Sequence, residues 1–168
     1  MTSFPCLKER VFPVQSPLIK QTENTLPLTD VEVKQLVETW YARLDVHPPV
    51  AEILPMLAGE NLTMQLPETT LHGQGDFLKW YDGVIHKFFD EVHTLKEVNV
   101  RVAANRAEVY LVVNWQARTW EAPAAKSQWI GFDATQRWIV ERSEKNQQPI
   151  IITYIVEQFL PMPGSSAL

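Results

Sequence analysis

A single cysteine, Cys6, occurs in the 168 residues. No disulfide can form within one chain, and no cysteine-rich metal site is available. A catalytic thiol needs a structured base beside it, so Cys6 reads as an incidental thiol of the N-terminal segment. Basic charge is also short, at 15 Lys and Arg against 20 Asp and Glu, for a net charge of -5. No field of positive potential is present to hold phosphates, and nucleic acid is not an expected partner. No apolar run approaches the roughly 20 residues of a membrane helix, so no membrane association is expected. The stretch Met1–Arg10 lacks the apolar core of a secretory signal, and a cytoplasmic location follows by default. The sequence has no Gly-x-Gly-x-x-Gly, Walker or Gly-x-Ser-x-Gly motif. Its four histidines show neither i, i+4 pairing nor metal-ligand spacing. No cofactor and no metal are expected.

What is present is material for a core. Hydrophobic residues make up 45% of the chain, with 6 Trp, 4 Tyr and 7 Phe, and the length suits one domain. Residues 1–27 carry Pro5, Pro13, Pro17 and Pro27 without a period. They read as an extended arm, either disordered or lying on the domain or a partner. Residues 28–160 read as the domain and 161–168 as a loose tail.

The first helix opens on a Thr29-x-x-Glu32 capping box. Val33, Leu36, Val37, Trp40 and Leu44 then recur at helical spacing, and Pro48-Pro49 ends the run. A short second helix is expected from about Pro49, interrupted at Pro55 and stopped at Gly59. Leu62, Met64 and Leu66 alternate as a half-buried strand. A turn at Gly73 and Gly75 precedes a third helix over about 74–89, with Phe77, Tyr81, Val84, Ile85 and Phe88 on its buried face. From Glu91 the period becomes two, giving strands around Val98–Val102, Val109–Trp115, Lys126–Arg142 and Ile150–Phe159. A bulge is expected near Asp133–Gln136 because the third of these is too long for one flat strand. Successive long strands joined by short turns make an antiparallel meander that needs helices on one face. The fold class is α+β, with N-terminal helices packed on a curved, mixed but mainly antiparallel sheet.

The order of elements, together with Phe77-Leu78-Lys79-Trp80-Tyr81 running on through Phe88-Phe89-Asp90 to His93, Val109–Trp115, and Gln136-Arg137-Trp138-Ile139-Val140 leading to Ile150–Glu157, resembles the nuclear transport factor 2-like (cystatin-like) cone fold. Within it the resemblance is to the SnoaL-like polyketide-cyclase group. That superfamily holds isomerases, dehydratases, cyclases and proteins that only bind or dimerise, so fold does not give function. Its isomerase-like members place a carboxylate base on the first strand and a tyrosine in the first helix. Tyr41 falls near the tyrosine's place, but Leu62–Leu66 holds no acid, and Glu68 is the nearest. This departure argues against steroid-isomerase-type chemistry.

The resemblance implies a histidine at the cone mouth, and His93 is the first candidate base; the other reading is a histidine satisfied by backbone at a strand start. Asp133, between Phe132 and Ala134 in an apolar strand, is a second candidate base or a bulge-stabilising side chain. Tyr41 is a candidate hydrogen-bond donor to an oxyanion, or core with its hydroxyl at the rim. Asp82 and His86 read as a solvated helix face, and His47 and His72 as loop residues. Trp40, Met64, Leu66, Tyr81, Trp115 and Trp129 either line an apolar hollow or fill the core. The leading functional expectation is a pocket for a small hydrophobic or aromatic molecule. The alternatives are a cyclase, isomerase or dehydratase using His93 or Asp133, and a homodimeric interaction module joined through the outer sheet face, with Tyr110, Val112, Tyr154 and Val156 on it.

Overall fold

The computed structural model describes residues 26–168, so the expected arm and Cys6 lie, apart from the arm's last two residues, outside the described residues. Helix α1 spans Asp30–Leu44 and begins as the capping box dictates: the Thr29 hydroxyl accepts from the Glu32 amide at 3.2 Å, and the Glu32 carboxylate accepts from the Thr29 amide at 3.0 Å. Its buried stripe is Val33, Leu36, Val37, Trp40, Tyr41 and Leu44.

After α1 the chain does not form the expected second helix. It makes three successive single 3-10 turns, Val50–Glu52, Leu54–Met56 and Gly59–Asn61. Pro48, Pro49 and Pro55 remove the amide donors that an α-helix would need here. Strand β1 (Thr63–Gln65) pairs antiparallel with β2 (Thr70–His72), an element too short to leave a period in the sequence. Helix α2 (Gly73–Lys87) starts at Gly73 itself, so Gly73 and Gly75 are its first turn rather than a separate loop. Phe88 and Phe89 leave the helix and begin β3 (Phe88–Ala103), where they pair with Thr119 and Arg118. Aromatic side chains suit the pleated ladder.

Strands β4 (Arg106–Thr119), β5 (Gln128–Arg142) and β6 (Pro149–Pro161) complete a six-stranded sheet of order β2-β1-β6-β5-β4-β3. All neighbours are antiparallel except β1 and β6, where Thr63 pairs with Thr153 in parallel. The sheet is therefore mixed, mainly antiparallel and open. Odd residues of β4 (Val109, Leu111, Val113) face the helices with Ala134, Trp138 and Val140 of β5. Register shifts occur at Phe89/Val92 and Leu95/Glu97 against β4, and at Thr135/Gln136 and Ile139/Val140 against β6. The bulge expected near Asp133–Gln136 is thus found at its C-terminal side. Such shifts bend a strand and re-aim its side chains.

The rings of Trp40 (α1), Phe77 (α2), Trp138 (β5) and Tyr154 (β6) meet at centroid distances of 5.0–6.3 Å and join both helices to the sheet. The residues after β6 are held rather than loose: Met162 N–H donates to Gly131 O at 2.8 Å, and Ser166 N–H to Trp129 O at 3.1 Å.

Candidate functional site

Between the inner face of the sheet, the C-terminal end of α1 and one side of α2 lies a cavity of about 520 Å³. Leu66, Val84, Phe88, Val113, Val156 and Phe159 give it an apolar wall. Most of its lining surface is apolar, as in most small-molecule sites, with polar groups set into it at defined points.

His93 is one of them. It enters on β3, and only 9% of its side chain is exposed. Asp45, the C-cap residue of α1, accepts from the His93 backbone amide at 3.0 Å and lies 2.6 Å from His93 Nδ1. With the Nδ1 proton engaged by this carboxylate, the Nε2 lone pair of a neutral imidazole stays free. Asp45 was not among the expected site residues, although a signal existed. An acid at a helix C-terminus opposes the helix dipole, and a residue placed against local electrostatics points to a distant partner.

A second histidine–carboxylate pair shares the cavity. His47 Nε2 lies 2.5 Å from Glu91 Oε1, and Trp115 Nε1 donates to Glu91 Oε2 at 2.7 Å. His47 is indeed in a loop, but that loop forms part of the cavity wall. Glu91 is buried because the irregularity between Phe89 and Val92 turns it inward. No sequence pattern shows this, since a bulge resets the period of two.

Tyr41 lies against His93 with ring centroids 4.8 Å apart, and its hydroxyl donates to Gln136 Oε1 at 2.8 Å. Burial, reinforced by Tyr154, raises the Tyr41 phenol well above its ordinary range, against the bond to Gln136. Burial likewise raises Tyr154 and Tyr81, and at Tyr81 the charges of Glu91 and Glu52 add to it. These phenols remain neutral donors at ordinary pH.

Of the remaining expected residues, Leu66, Tyr81 and Trp115 line the cavity. Trp40 and Met64 do not reach it. They are 1% and 0% exposed and belong to the core beneath. Asp133 and Trp129 lie on the opposite face of the sheet. Asp133 accepts from Asn114 Nδ2 at 2.7 Å, and Trp129 Nε1 donates to Gln116 Oε1 at 3.3 Å. Strand parity decides this: Phe132 and Ala134 take the inward positions on either side of Asp133. Tyr154 and Val156, expected on the outer face, line the cavity, while Tyr110 and Val112 remain outside. Asp82 and His86 are 75% and 73% exposed on α2. Glu68 sits at the rim and accepts from Trp80 Nε1 at 3.2 Å.

Solved structures reproduce this arrangement of curved sheet and helices. A protein of unknown function with a cystatin-like fold from Nostoc punctiforme superposes with a TM-score of 0.63 at 14% identity, over 85% of this chain and all (100%) of its own. An NTF2-like superfamily protein from Salmonella enterica gives 0.63 at 11%, over 82% and 91%. The fold is the cystatin-like, NTF2-like cone. A provisionally assigned scytalone dehydratase from Novosphingobium aromaticivorans shares the cone at a TM-score of 0.65 and 14% identity, over 82% of this chain and 88% of that one. At these identities the likeness is one of fold. No protein-family model and no curated protein sequence matches the chain. Among the described residues, no helix is long and apolar enough to cross a membrane.

Proposed function

We propose that the cone cavity binds a small hydrophobic molecule and that His93, oriented by Asp45, removes a proton from it. The observation that carries this reading is the 2.6 Å contact between His93 Nδ1 and Asp45 Oδ1, which fixes the imidazole with Nε2 unpartnered among the described residues. A base is effective when it is positioned within hydrogen-bond reach of the proton it takes and shielded from bulk water. The apolar wall supplies the shielding, and the placement of His93 at the cavity supplies the reach.

The same scaffold is shared by proteins of different activity, and one of the neighbours is provisionally assigned as a dehydratase. That range supports proton-transfer chemistry as a use of the cone without selecting a reaction. Binding without chemistry is the simpler function of such a cavity. The His93–Asp45 pair supports catalysis because it orients a nitrogen that can take a proton as well as accept a hydrogen bond.

The test is hydrogen–deuterium exchange at the acidic carbon of 2-tetralone in deuterated water, followed by NMR. The wild-type protein is expected to accelerate exchange over buffer, and His93→Gln to lose the acceleration by about 100-fold or more. Exchange at the buffer rate in the presence of wild-type protein overturns the catalytic reading.

A further inference from the structure

The polar side chain set deepest in the cavity wall is an amide. Gln136 is 4% exposed, lies on β5 at the register shift against β6, and lines the cavity between Ala134 and Tyr154. Its orientation is fixed by one donor of unambiguous chemistry. The Trp138 indole N–H, which can only donate, lies 2.9 Å from Oε1, so the oxygen is on that side and Nε2 is on the other. The Tyr41 hydroxyl then donates to the same oxygen at 2.8 Å. An amide nitrogen carries two hydrogens. Nε2 makes no hydrogen bond to a described residue; the side chain's bonds are the two at Oε1.

Most of the other neutral donors along the wall are already engaged. Tyr81 donates to Pro48 O at 2.7 Å, Trp115 to Glu91 at 2.7 Å and Trp80 to Glu68 at 3.2 Å. In the neutral ring with its proton on Nδ1 beside Asp45, His93 Nε2 accepts rather than donates. Lys79 and Lys87 are exposed on α2 at the rim. Gln136 Nε2 is not one of the fully buried unpartnered atoms; it is a donor on the cavity wall that an acceptor on a ligand can take up.

We infer that Gln136 is the donor that selects the ligand, and that the cavity takes an apolar ring compound bearing an acceptor oxygen of the carbonyl type. This rests on the proposed binding function and names its ligand class. The amide N–H would hold the oxygen while the ring lies on the apolar wall, and the acceptor would set which carbon faces His93. A site built around an unpaired polar group rejects an analogue that lacks the matching atom more strongly than it rejects one of slightly different size.

The test compares 1-tetralone with tetralin, which have nearly the same shape and differ in the carbonyl oxygen, by isothermal titration calorimetry. Wild-type protein should bind the ketone about three- to tenfold more tightly than the hydrocarbon, the range expected of one hydrogen bond. Gln136→Glu keeps an oxygen for Tyr41 and Trp138 and removes the amide N–H. It should remove the ketone preference, read as the ratio of the two affinities within the same variant. Gln136→Met, which keeps the apolar bulk and removes both functions, should do the same. Equal affinities in the wild-type protein, or a ketone preference that survives both substitutions, overturn the assignment of Gln136 and leave apolar binding standing. Binding of neither compound overturns the binding function and this inference with it.

Discussion

His47 Nε2 lies 2.5 Å from Glu91 Oε1, and both ends of that contact rest on left-handed backbone: His47 has φ of 47°, and Asp90, immediately before Glu91, has φ of 53°. Non-glycine residues adopt this region at a cost and usually where the surroundings demand it. Here two such residues bring one imidazole and one carboxylate together at the cavity wall.

The contact has measurable consequences for stability. Glu91→Ala leaves the Trp115 indole N–H and the His47 ring without their acceptor, and the expected loss is about 1–3 kcal/mol in denaturant unfolding. Glu91→Gln retains an oxygen for Trp115 and should cost less. His47→Asn, which tolerates the left-handed region, should be milder than His47→Val, which is β-branched and does not. Equal losses for all four variants would show that the pair and its backbone contribute nothing specific.

The tautomer of His93 is a second expected outcome. The Asp45 carboxylate 2.6 Å from Nδ1 keeps the proton on that nitrogen, so ¹⁵N NMR of the neutral ring should show a protonated Nδ1 and a bare Nε2. Asp45→Ala should yield a mixture of tautomers and a slower exchange reaction on 2-tetralone. Asp45→Asn retains an acceptor oxygen and should preserve the tautomer while removing the charge. A bare Nδ1 in the wild-type protein would contradict the geometry and remove the basis for catalysis.

Acid sensitivity should follow from Glu32. Its carboxyl is held below the ordinary carboxylate range, first by the hydrogen bond from Arg142 and then by that from Thr29. A depressed folded value contributes stability that is present at neutral pH and is lost as pH falls below about 4.5. The Glu32 side chain is 40% exposed, so solvent screening keeps the contribution small. Glu32→Gln should flatten the stability profile below that pH and weaken the capping box of α1 by about 1 kcal/mol or less. Parallel profiles for the variant and the wild-type protein below pH 4.5 would remove Glu32 from the account.

Local chemistry made much of the fold readable. The capping box and the spacing from Val33 to Leu44 are contained within one helix, and the alternation in β4, β5 and β6 within single strands, so each could be recognised without its partners. Three-residue β1 is legible because its flanks Leu62 and Leu66 extend the alternation through Met64, whereas β2 and the three 3-10 turns after Pro49 have no such extension and leave no period to read.

The candidate site was legible only in pieces. His93 and Tyr41 were expected in it and line the cavity, but the groups that orient them come from far away in sequence. Asp45 is 48 residues from His93, and Gln136 is 95 residues from Tyr41. Asp133 stands on the same footing in the sequence, and one position of strand parity puts it on the other face.

The sequence by itself determined the two long helices and the four long strands, the amphipathic faces of α1 and α2, and the apolar character of the sheet's inner side. These depend on periodicity and on caps, which act over a few residues. Tertiary structure alone decided the parallel pairing of β1 with β6, the inward turn of Glu91 at a bulge, and the pairing of each histidine with its carboxylate. Those features depend on register between distant segments, and a shift of one residue exchanges the face that meets the cavity for the face that meets water.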